Sequence, residues 1–322
     1  MKSILLTGAT GFVGGAVRPR LAASGWQVRC LTRDVAAARA AAPGLDWVEG
    51  DVSDGAACAA ALAGCQAALY LVHGIGAGSH YHEHEVAAAA QFARAAGEAG
   101  LSRIVYLGGV APRGAGSQHL RSRLDVGEVL RKGPVQTIEL RASMIVGHGS
   151  LSWLIVRDLA ARLPAMILPA WLRSRTEPVA IDDVVAALLA ALELEVATSA
   201  WFDLPGPEVL SGRQILEQTS QVMELPPPLI LEVPLLTPRL SSLWVHLVSR
   251  AEWSVAREVV IGLADDLLAQ DDHFWQRIGH PQRLRFAQAA QLAIEAERRE
   301  RSVLGFWGAI ERARSYLKPH PA

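Results

Sequence analysis

Three glycines near the start of the chain have a spacing that could hold a phosphate group. Residues 4–6 form an apolar run that predicts a strand, and Gly8, Gly11 and Gly14 follow it before a helical pattern begins. Glycine lets the backbone approach a pyrophosphate closely, and the N-terminus of a helix presents free N–H groups and a positive dipole end. The spacing is G-x-x-G-x-x-G, not the more familiar G-x-G-x-x-G. We predict that this turn binds a dinucleotide through Thr7, Gly8, Thr10, Gly11, Phe12, Val13 and Gly14.

The end of the second predicted strand, at 27–32, indicates which dinucleotide binds. Thr32 closes the strand, and Arg33 and Asp34 follow it. A carboxylate at this position would accept a hydrogen bond from the ribose 2′-hydroxyl of NAD, whereas an arginine pairs with the 2′-phosphate of NADP. We therefore predict NADP(H) as the preferred cofactor. The alternative is NAD(H), with Asp34 binding the ribose.

Asp51 and Val52 follow the third predicted strand, at 46–49. Because that strand should end at the same edge of the sheet, we expect both residues to lie near the adenine. The alternative is that Asp51 merely caps the helix that begins near Gly55.

The residues predicted to bind the dinucleotide follow three different strands. They can contact one ligand only in a fold that brings the ends of those strands together. Short apolar runs alternate with alanine-rich helical stretches, which predicts right-handed crossovers and a parallel sheet. The fold class is therefore α/β, a Rossmann-type doubly wound sheet with a smaller, mostly helical C-terminal cap. Residues 1–150 and a return segment at 175–204 are predicted to form the NAD(P)-binding domain, and residues 151–174 and 205–322 the substrate-binding cap. The strands are predicted at 3–7, 27–32, 46–49, 67–72, 103–107 and 135–140, and the helices between them at 12–24, 35–42, 55–63, 83–99 and 118–131.

Composition limits the partners. The 322 residues are 51% apolar with a net charge of −1, which argues against nucleic acid as a partner. No apolar run is long enough to span a bilayer and no signal peptide is visible, so we expect a cytoplasmic protein without a transmembrane segment. Cys30, Cys58 and Cys65 lack C-x-x-C spacing and are expected to be free thiols in a reducing cytosol. A homodimer is compatible with the sequence.

The chain resembles short-chain dehydrogenase/reductases of the extended or atypical kind. Within them it is most similar to the NmrA-like, epimerase-like NAD(P)H-binding proteins. The nucleotide-binding accessory subunit of respiratory complex I is a more distant relative. The residues that carry the resemblance are 7–14, 50–52, 103–107, 139–147 and 178–184.

The resemblance implies a catalytic serine, tyrosine and lysine, and this chain departs from that set. The fifth predicted strand ends in Gly108 and Gly109, where the family has serine. His119 stands at the tyrosine position and Arg123 at the lysine position, and no Tyr-x-x-x-Lys occurs in the sequence. Arg123 could still donate to ribose hydroxyls, and its charge should favour the neutral ring of His119. The two residues form either an adapted acid/base site or an inactive one.

Other histidines are further candidates. His73 ends the fourth predicted strand, where it could act as an acid/base, hydrogen-bond a substrate, or merely close the strand. His80, His82 and His84 are clustered, and His80 and His84 would share a helical face, but no third metal ligand is evident. We predict no metal site, and we expect this helix start to line the substrate pocket.

An apolar segment at 153–171 predicts a hydrophobic pocket. Core packing, a dimer contact or shallow contact with a membrane are the alternatives. Met166, Ile167, Leu168 and Trp171 would line it, so a small apolar substrate or a quinone is expected. The predicted function is an NADPH-dependent oxidoreductase acting on an apolar carbonyl or quinone. The alternative is a non-catalytic NADP(H)-binding sensor, regulator or assembly protein. Sugar-nucleotide epimerisation is the weakest option, because that chemistry relies on the absent tyrosine.

Overall fold

The computed structural model describes residues 2–73, 81–114, 116–162, 165–169, 173–226, 229–233 and 265–315. The strands within these ranges are β1 (Lys2–Leu6), β2 (Trp26–Thr32), β3 (Asp46–Glu49), β4 (Ala67–Tyr70), β5 (Arg103–Gly109), β6 (Thr137–Ala142), β7 (Ile145–Val146), β8 (Ala165–Pro169), β9 (Arg175–Thr176), β10 (Val179–Ala180), β11 (Ala200–Asp203), β12 (Leu210–Ser211) and β13 (Leu229–Val233). The helices are α1 (Phe12–Ala23), α2 (Val35–Ala41), α3 (Gly55–Leu62), α4 (Tyr81–Glu98), α5 (Gln118–Lys132), α6 (Leu151–Arg162), α7 (Ile181–Glu193), α8 (Gly212–Val222), α9 (His273–Arg277) and α10 (Phe286–Ser315).

A parallel sheet organises the described part of the chain. Its seven strands have the order β11-β6-β5-β4-β1-β2-β3, so the strand order reverses beside β1. Leu5 packs into a core beneath α3, α4 and α5, while Ile4 and Leu6 pack into a core on the opposite face, with α1 and α7. Both faces of β1 are thus covered, as its continuous apolar run indicates. The predicted Rossmann-type fold class is confirmed.

Parallel strands bring their carboxyl ends to one edge of the sheet. The glycine turn after β1, Arg33 after β2, Asp51 after β3 and His73 after β4 therefore all lie along that edge. A doubly wound sheet binds its ligand there, where the strand order reverses.

The helical C-terminal region contributes to a third core. Trp153 of α6 and Phe286 of α10 are fully buried in it, with their rings 6.4 Å apart. The sequence pattern predicts two C-terminal helices, at about 284–301 and 302–317, and this prediction is wrong. α10 runs through that point, because neither glycine nor proline interrupts residues 298–304. Among the described helices, none has the length and apolarity needed to cross a bilayer.

Three carboxylates attach the segment after residue 265 to the sheet. Asp183, in the first turn of α7, accepts hydrogen bonds from His280 Nε2 at 2.8 Å and from the Leu284 amide at 2.9 Å. Asp203 and Glu177 accept hydrogen bonds from backbone amides of the same segment, those of Gln270 and Ala269 respectively. The C-terminal segment is thereby hydrogen-bonded to the edge of the sheet that carries β11.

Candidate cofactor and substrate site

The glycine turn is too tight for side chains at two of its positions. Gly8 has φ +65°, and a Cβ there would lie 2.7 Å from the carbonyl oxygen of Leu71. A Cβ on Gly14 would lie 2.2 Å from the carbonyl oxygen of Gly8. The amide of Gly11 donates to that same oxygen at 3.0 Å, which closes the turn. Glycine at 8 and 14 is therefore required by packing within the protein. The predicted close approach of a pyrophosphate to these glycines stays a prediction.

The first turn of α1 presents its amides without a side-chain cap. Gly11 is the N-cap residue, no side chain accepts from the first amides, and the first turn contains no acidic residue. By contrast, Asp34 caps α2, Asp54 caps α3 and Ser117 caps α5. Because the free N–H groups and the helix dipole both favour an anion, the start of α1 fits a pyrophosphate.

The other residues predicted in this turn occupy different places. Thr7 is fully buried; its hydroxyl accepts from the Leu71 amide at 3.0 Å and donates to the Leu69 carbonyl, which joins β1 to β4. Thr10 is exposed at the tip of the turn. Phe12 and Val13 are partly buried at the start of α1. Thr7 therefore fixes the start of the glycine turn to the end of β4.

Arg33 lies at the sheet edge with its side chain 84% exposed, and its Nε is 3.9 Å from Asp51 Oδ2. Asp34 is already committed, since its Oδ1 accepts the Ala37 amide at 2.8 Å as the cap of α2. Arg33 is thus available to an incoming phosphate, while one carboxylate oxygen of Asp34 is used within the protein.

Asp51 does not cap α3, so that alternative is wrong. The cap is Asp54, which accepts from the amides of Ala56 and Ala57. Asp51 instead accepts from the amide and hydroxyl of Ser53. Burial opposes ionisation of Asp51, but these hydrogen bonds and the charge of Arg33 lower its pKa overall. Val52, next to it, packs partly against the core beneath α3.

The structure brings the three predicted catalytic residues together. The rings of His73 and His119 are 5.9 Å apart, edge to face. Arg123 lies one turn beyond His119 on α5, and its Nη1 is 3.4 Å from the Gly108 carbonyl oxygen. A Cβ on Gly109 would lie 3.3 Å from Arg123 Cδ, so glycine at the family's serine position makes room for the arginine.

The surroundings of this cluster favour the neutral form of both histidines. Desolvation, followed by the charge of Arg123, lowers the pKa of His119 to about 2. The same two causes lower the pKa of His73, but its side chain is exposed, so desolvation acts less strongly there. The predicted effect of Arg123 on His119 is therefore present, but burial is the larger cause. Neither ring is therefore expected to be an imidazolium acid at neutral pH.

Glu139, which the sequence analysis missed, anchors the helix that carries His119 and Arg123. It is fully buried on β6 and binds Arg131 Nε of α5 and Arg141 Nε, each at 2.8 Å. A Cβ on Gly127 would lie 2.4 Å from the Glu139 carboxylate, so glycine lets α5 lie close to that carboxylate. The only sequence signal was two charged residues inside a strand that is otherwise apolar.

Two more hydrogen bonds hold α5 in place. The Tyr106 hydroxyl of β5 donates to the backbone carbonyl of Arg123 at 3.1 Å. Ser122 of α5 donates to the carboxylate of Glu85 on α4. The backbone beneath Arg123 is therefore fixed from both the sheet and the neighbouring helix.

The remaining predicted residues do not join this cluster. His82 Nε2 lies 3.4 Å from Asp125 Oδ2 of α5. His80 and Trp171 lie outside the described residues. Met166, Ile167 and Leu168 lie on β8, which pairs in parallel with β13. Within the described ranges, no group of three or more possible metal ligands is present.

Comparison with known families agrees with this geometry. Residues 8–161 match the model of a family described as NAD(P)H-binding. A comparison with curated proteins found no significant match. Residues 8–161, with the glycine turn at their start, are therefore similar to NAD(P)H-binding domains.

Solved structures with similar folds include enzymes and other dinucleotide-binding proteins. Triphenylmethane reductase from Citrobacter sp., complexed with NADP(H), has a TM-score of 0.69 at 18% identity, covering 90% of this chain and 99% of its own. UDP-glucose 4-epimerase from Thermotoga maritima has a TM-score of 0.72 at 12% identity, covering 92% and 99%. A short-chain dehydrogenase/reductase superfamily protein from Agrobacterium tumefaciens, with bound NAD, has a TM-score of 0.66 at 18% identity, covering 92% and 98%. At these identities the likeness concerns the fold.

Proposed function

We propose that the chain, an NAD(P)H-binding protein of the atypical short-chain dehydrogenase/reductase type, is an NADPH-dependent oxidoreductase acting on an apolar carbonyl or quinone. The observation that carries this proposal is the clustering of His73, His119 and Arg123 at the edge of the sheet that also bears the glycine turn. Within the family we assign the chain to the NmrA-like branch, on the residues that resemble it.

Each element has a role in this proposal. When bound, the reduced nicotinamide supplies the hydride. The amides at the start of α1 bind the pyrophosphate, with Gly8 and Gly14 allowing close approach. Arg33 pairs with the 2′-phosphate. Arg123 and the two neutral rings border the substrate.

Replacing Arg33 tests the cofactor preference. We expect Arg33→Ala to weaken NADPH binding by about 10- to 100-fold, because charge-assisted hydrogen bonds to the 2′-phosphate contribute about 1.5–3 kcal/mol. NADH lacks that phosphate, so its affinity should not change. Isothermal titration calorimetry with both cofactors measures the two affinities. Arg39→Ala, an exposed arginine on α2, is the matched control. If Arg33→Ala weakens both cofactors equally, or if the wild-type protein prefers NADH, the NADP assignment is wrong.

Turnover is tested separately from binding. The purified protein is titrated with NADPH, and the loss of NADPH absorbance is then followed with a panel of quinones and aldehydes. An oxidoreductase will oxidise NADPH with at least one acceptor class. Tight NADPH binding with no oxidation by any acceptor would reject the enzymatic proposal.

That negative result would favour the second candidate, a non-catalytic NADP(H) sensor, regulator or assembly protein. A specific observation supports it: Gly108 and Gly109 stand where the resemblance implies serine, and the surroundings of His119 and His73 favour their neutral forms. Such a protein would bind NADPH and NADP⁺ with different affinities, because a sensor must respond to the redox state of the cofactor.

We also propose a cytoplasmic location, which the free, buried thiols of Cys30, Cys58 and Cys65 support. Burial raises the pKa of Cys30 and of Cys58 to about 11, so these thiols are unreactive. A homodimer is a further proposal, which sedimentation velocity would test.

A further inference from the structure

We propose that Arg123 binds the oxyanion that forms when a conjugated substrate is reduced, a phenolate or enolate oxygen. The acceptor reduced at this site is therefore a quinone or a conjugated carbonyl, and not an isolated ketone or aldehyde. This inference rests on the proposed function and narrows its substrate class. It also assigns Arg123 to the substrate, where the sequence analysis assigned it to the ribose.

Arg123 is a partly buried cation with no carboxylate partner among the described residues. Two other arginines with little exposure pair with acids at short range, Arg141 with Glu139 at 2.8 Å and Arg157 with Glu297 at 2.6 Å. Arg103 is instead bound at 2.9 Å by the carbonyl oxygens of Ala191 and Leu194. Arg123 makes only a long contact, 3.4 Å, to the carbonyl oxygen of Gly108. Its Nε is buried and has no hydrogen-bond partner in the described part of the chain.

An anionic acceptor suits such a group best. A guanidinium is permanently charged and donates only, so a buried N–H without an acceptor is unfavourable by about 1–3 kcal/mol. The phosphates of a dinucleotide are accounted for by the start of α1 and by Arg33, and the nicotinamide ribose carries no charge. The anion that remains is on the substrate.

The protonation states of the side chains around Arg123 determine which kind of anion the site stabilises. Three titratable side chains lie next to Arg123 in the described structure: His119, His73 and Tyr106. The surroundings favour the neutral rings of both histidines, and the buried Tyr106 hydroxyl already donates to the Arg123 backbone carbonyl. A reduction at this site therefore proceeds without a protonated side chain ready to neutralise the new oxyanion. An alkoxide is about as strong a base as hydroxide, whose conjugate acid has a pKa of about 16. A phenolate, with a conjugate-acid pKa of about 10, can persist beside a fixed cation.

The step balances with the cofactor as reductant. The acceptor gains a hydride, two electrons and one hydrogen, from NADPH, which is oxidised to NADP⁺. A C–H bond of the dihydronicotinamide breaks, a new bond to hydrogen forms on the acceptor, and the electron pair of its carbonyl moves onto oxygen. That oxygen, now an anion, pairs with Arg123 and takes a proton from water as the product leaves.

The test uses 4-nitrophenol as a probe, because its absorbance reports ionisation directly. In the presence of saturating NADP⁺ we expect the full-length protein to lower the pKa of bound 4-nitrophenol by roughly one to two units. Arg123→Met should abolish this shift, and Arg123→Lys should retain part of it. Arg121→Met removes an exposed arginine of the same helix and should leave the shift unchanged. Circular dichroism and thermal melting verify that each variant folds.

Several results would overturn the inference. These are no detectable 4-nitrophenol binding by the wild-type protein, an unchanged shift in Arg123→Met, or Arg123-dependent binding of 4-nitrobenzoate but not of 4-nitrophenol. NADPH oxidation with menadione and with cyclohexanone distinguishes this inference from the proposed function. Equal rates with both acceptors would refute the substrate class and keep the oxidoreductase. No oxidation with any acceptor, together with an Arg123-dependent phenolate shift, would refute the oxidoreductase and keep the oxyanion site.

Discussion

Gly14→Ala is expected to lower the affinity for NADPH at least about 100-fold, the equivalent of about 2.8 kcal/mol. The added Cβ would lie 2.2 Å from the carbonyl oxygen of Gly8 and 2.8 Å from Ala9 Cα. Both neighbours are backbone atoms, so no side-chain rotation relieves the clash and the turn must open. The amides at the start of α1 would then no longer converge on one phosphate position.

Gly15→Ala is the matched control, one residue further along α1. A Cβ at Gly15 meets no atom within 4 Å. Because alanine is favoured over glycine within a helix by about 0.5–1 kcal/mol, this variant should bind NADPH normally and melt at the same or a slightly higher temperature. Fluorescence titration and thermal melting measure both effects. Wild-type affinity in Gly14→Ala would show that the dinucleotide does not depend on this turn.

Glu139→Ala is expected to destabilise the protein by about 3–5 kcal/mol. The substitution leaves Arg141, which is almost fully buried, and Arg131 without their shared carboxylate. Desolvated guanidinium groups without a counter-charge are strongly unfavourable. Arg141 also lies over the ring of Trp201, 4.2 Å from its centroid, which restricts its escape to solvent.

Urea-induced unfolding monitored by circular dichroism measures this loss. Glu139→Gln keeps the shape and the acceptor oxygen, so it should lose less stability than Glu139→Ala. Glu128 is an exposed residue of α5 that pairs with Lys132 of the same helix. Glu128→Ala should therefore change the unfolding midpoint little. Equal midpoints for Glu139→Ala and the wild-type protein would mean that the buried ion cluster is not needed for stability.

The sequence was informative wherever local pattern and strand order decide the structure. β3 has the predicted bounds, and alternation of strands and helices predicted the sheet, hence the shared edge for Gly8, Arg33, Asp51 and His73. The proximity of His119 and Arg123 followed from their spacing on one helix, and their position on α5 from the family resemblance. These features depend on short-range propensity and on the rules for parallel crossovers.

Features that depend on tertiary contact were not predictable. Asp51 and Asp54 are both reasonable caps for α3, and only the backbone path makes Asp54 the cap. Glu139 could pair with either arginine, or with neither, until α5 is packed on the sheet. The space that Gly109 leaves for the Arg123 side chain depends on how α5 packs against β5. A sequence pattern does not show that packing.

The carboxylates of Glu177, Asp183 and Asp203 have a consequence for biosynthesis. All three accept hydrogen bonds from amides or a side chain between Ala269 and Leu284, whereas the strands and helices around them are complete by Asp203. While the ribosome is still translating the intervening sequence, the nascent chain has these acids but not their donors. The edge of the sheet that carries β11 therefore reaches its final hydrogen bonding only after residue 284 has left the exit tunnel. Until then, we expect a holdase chaperone to bind the incompletely buried residues at this edge of the sheet.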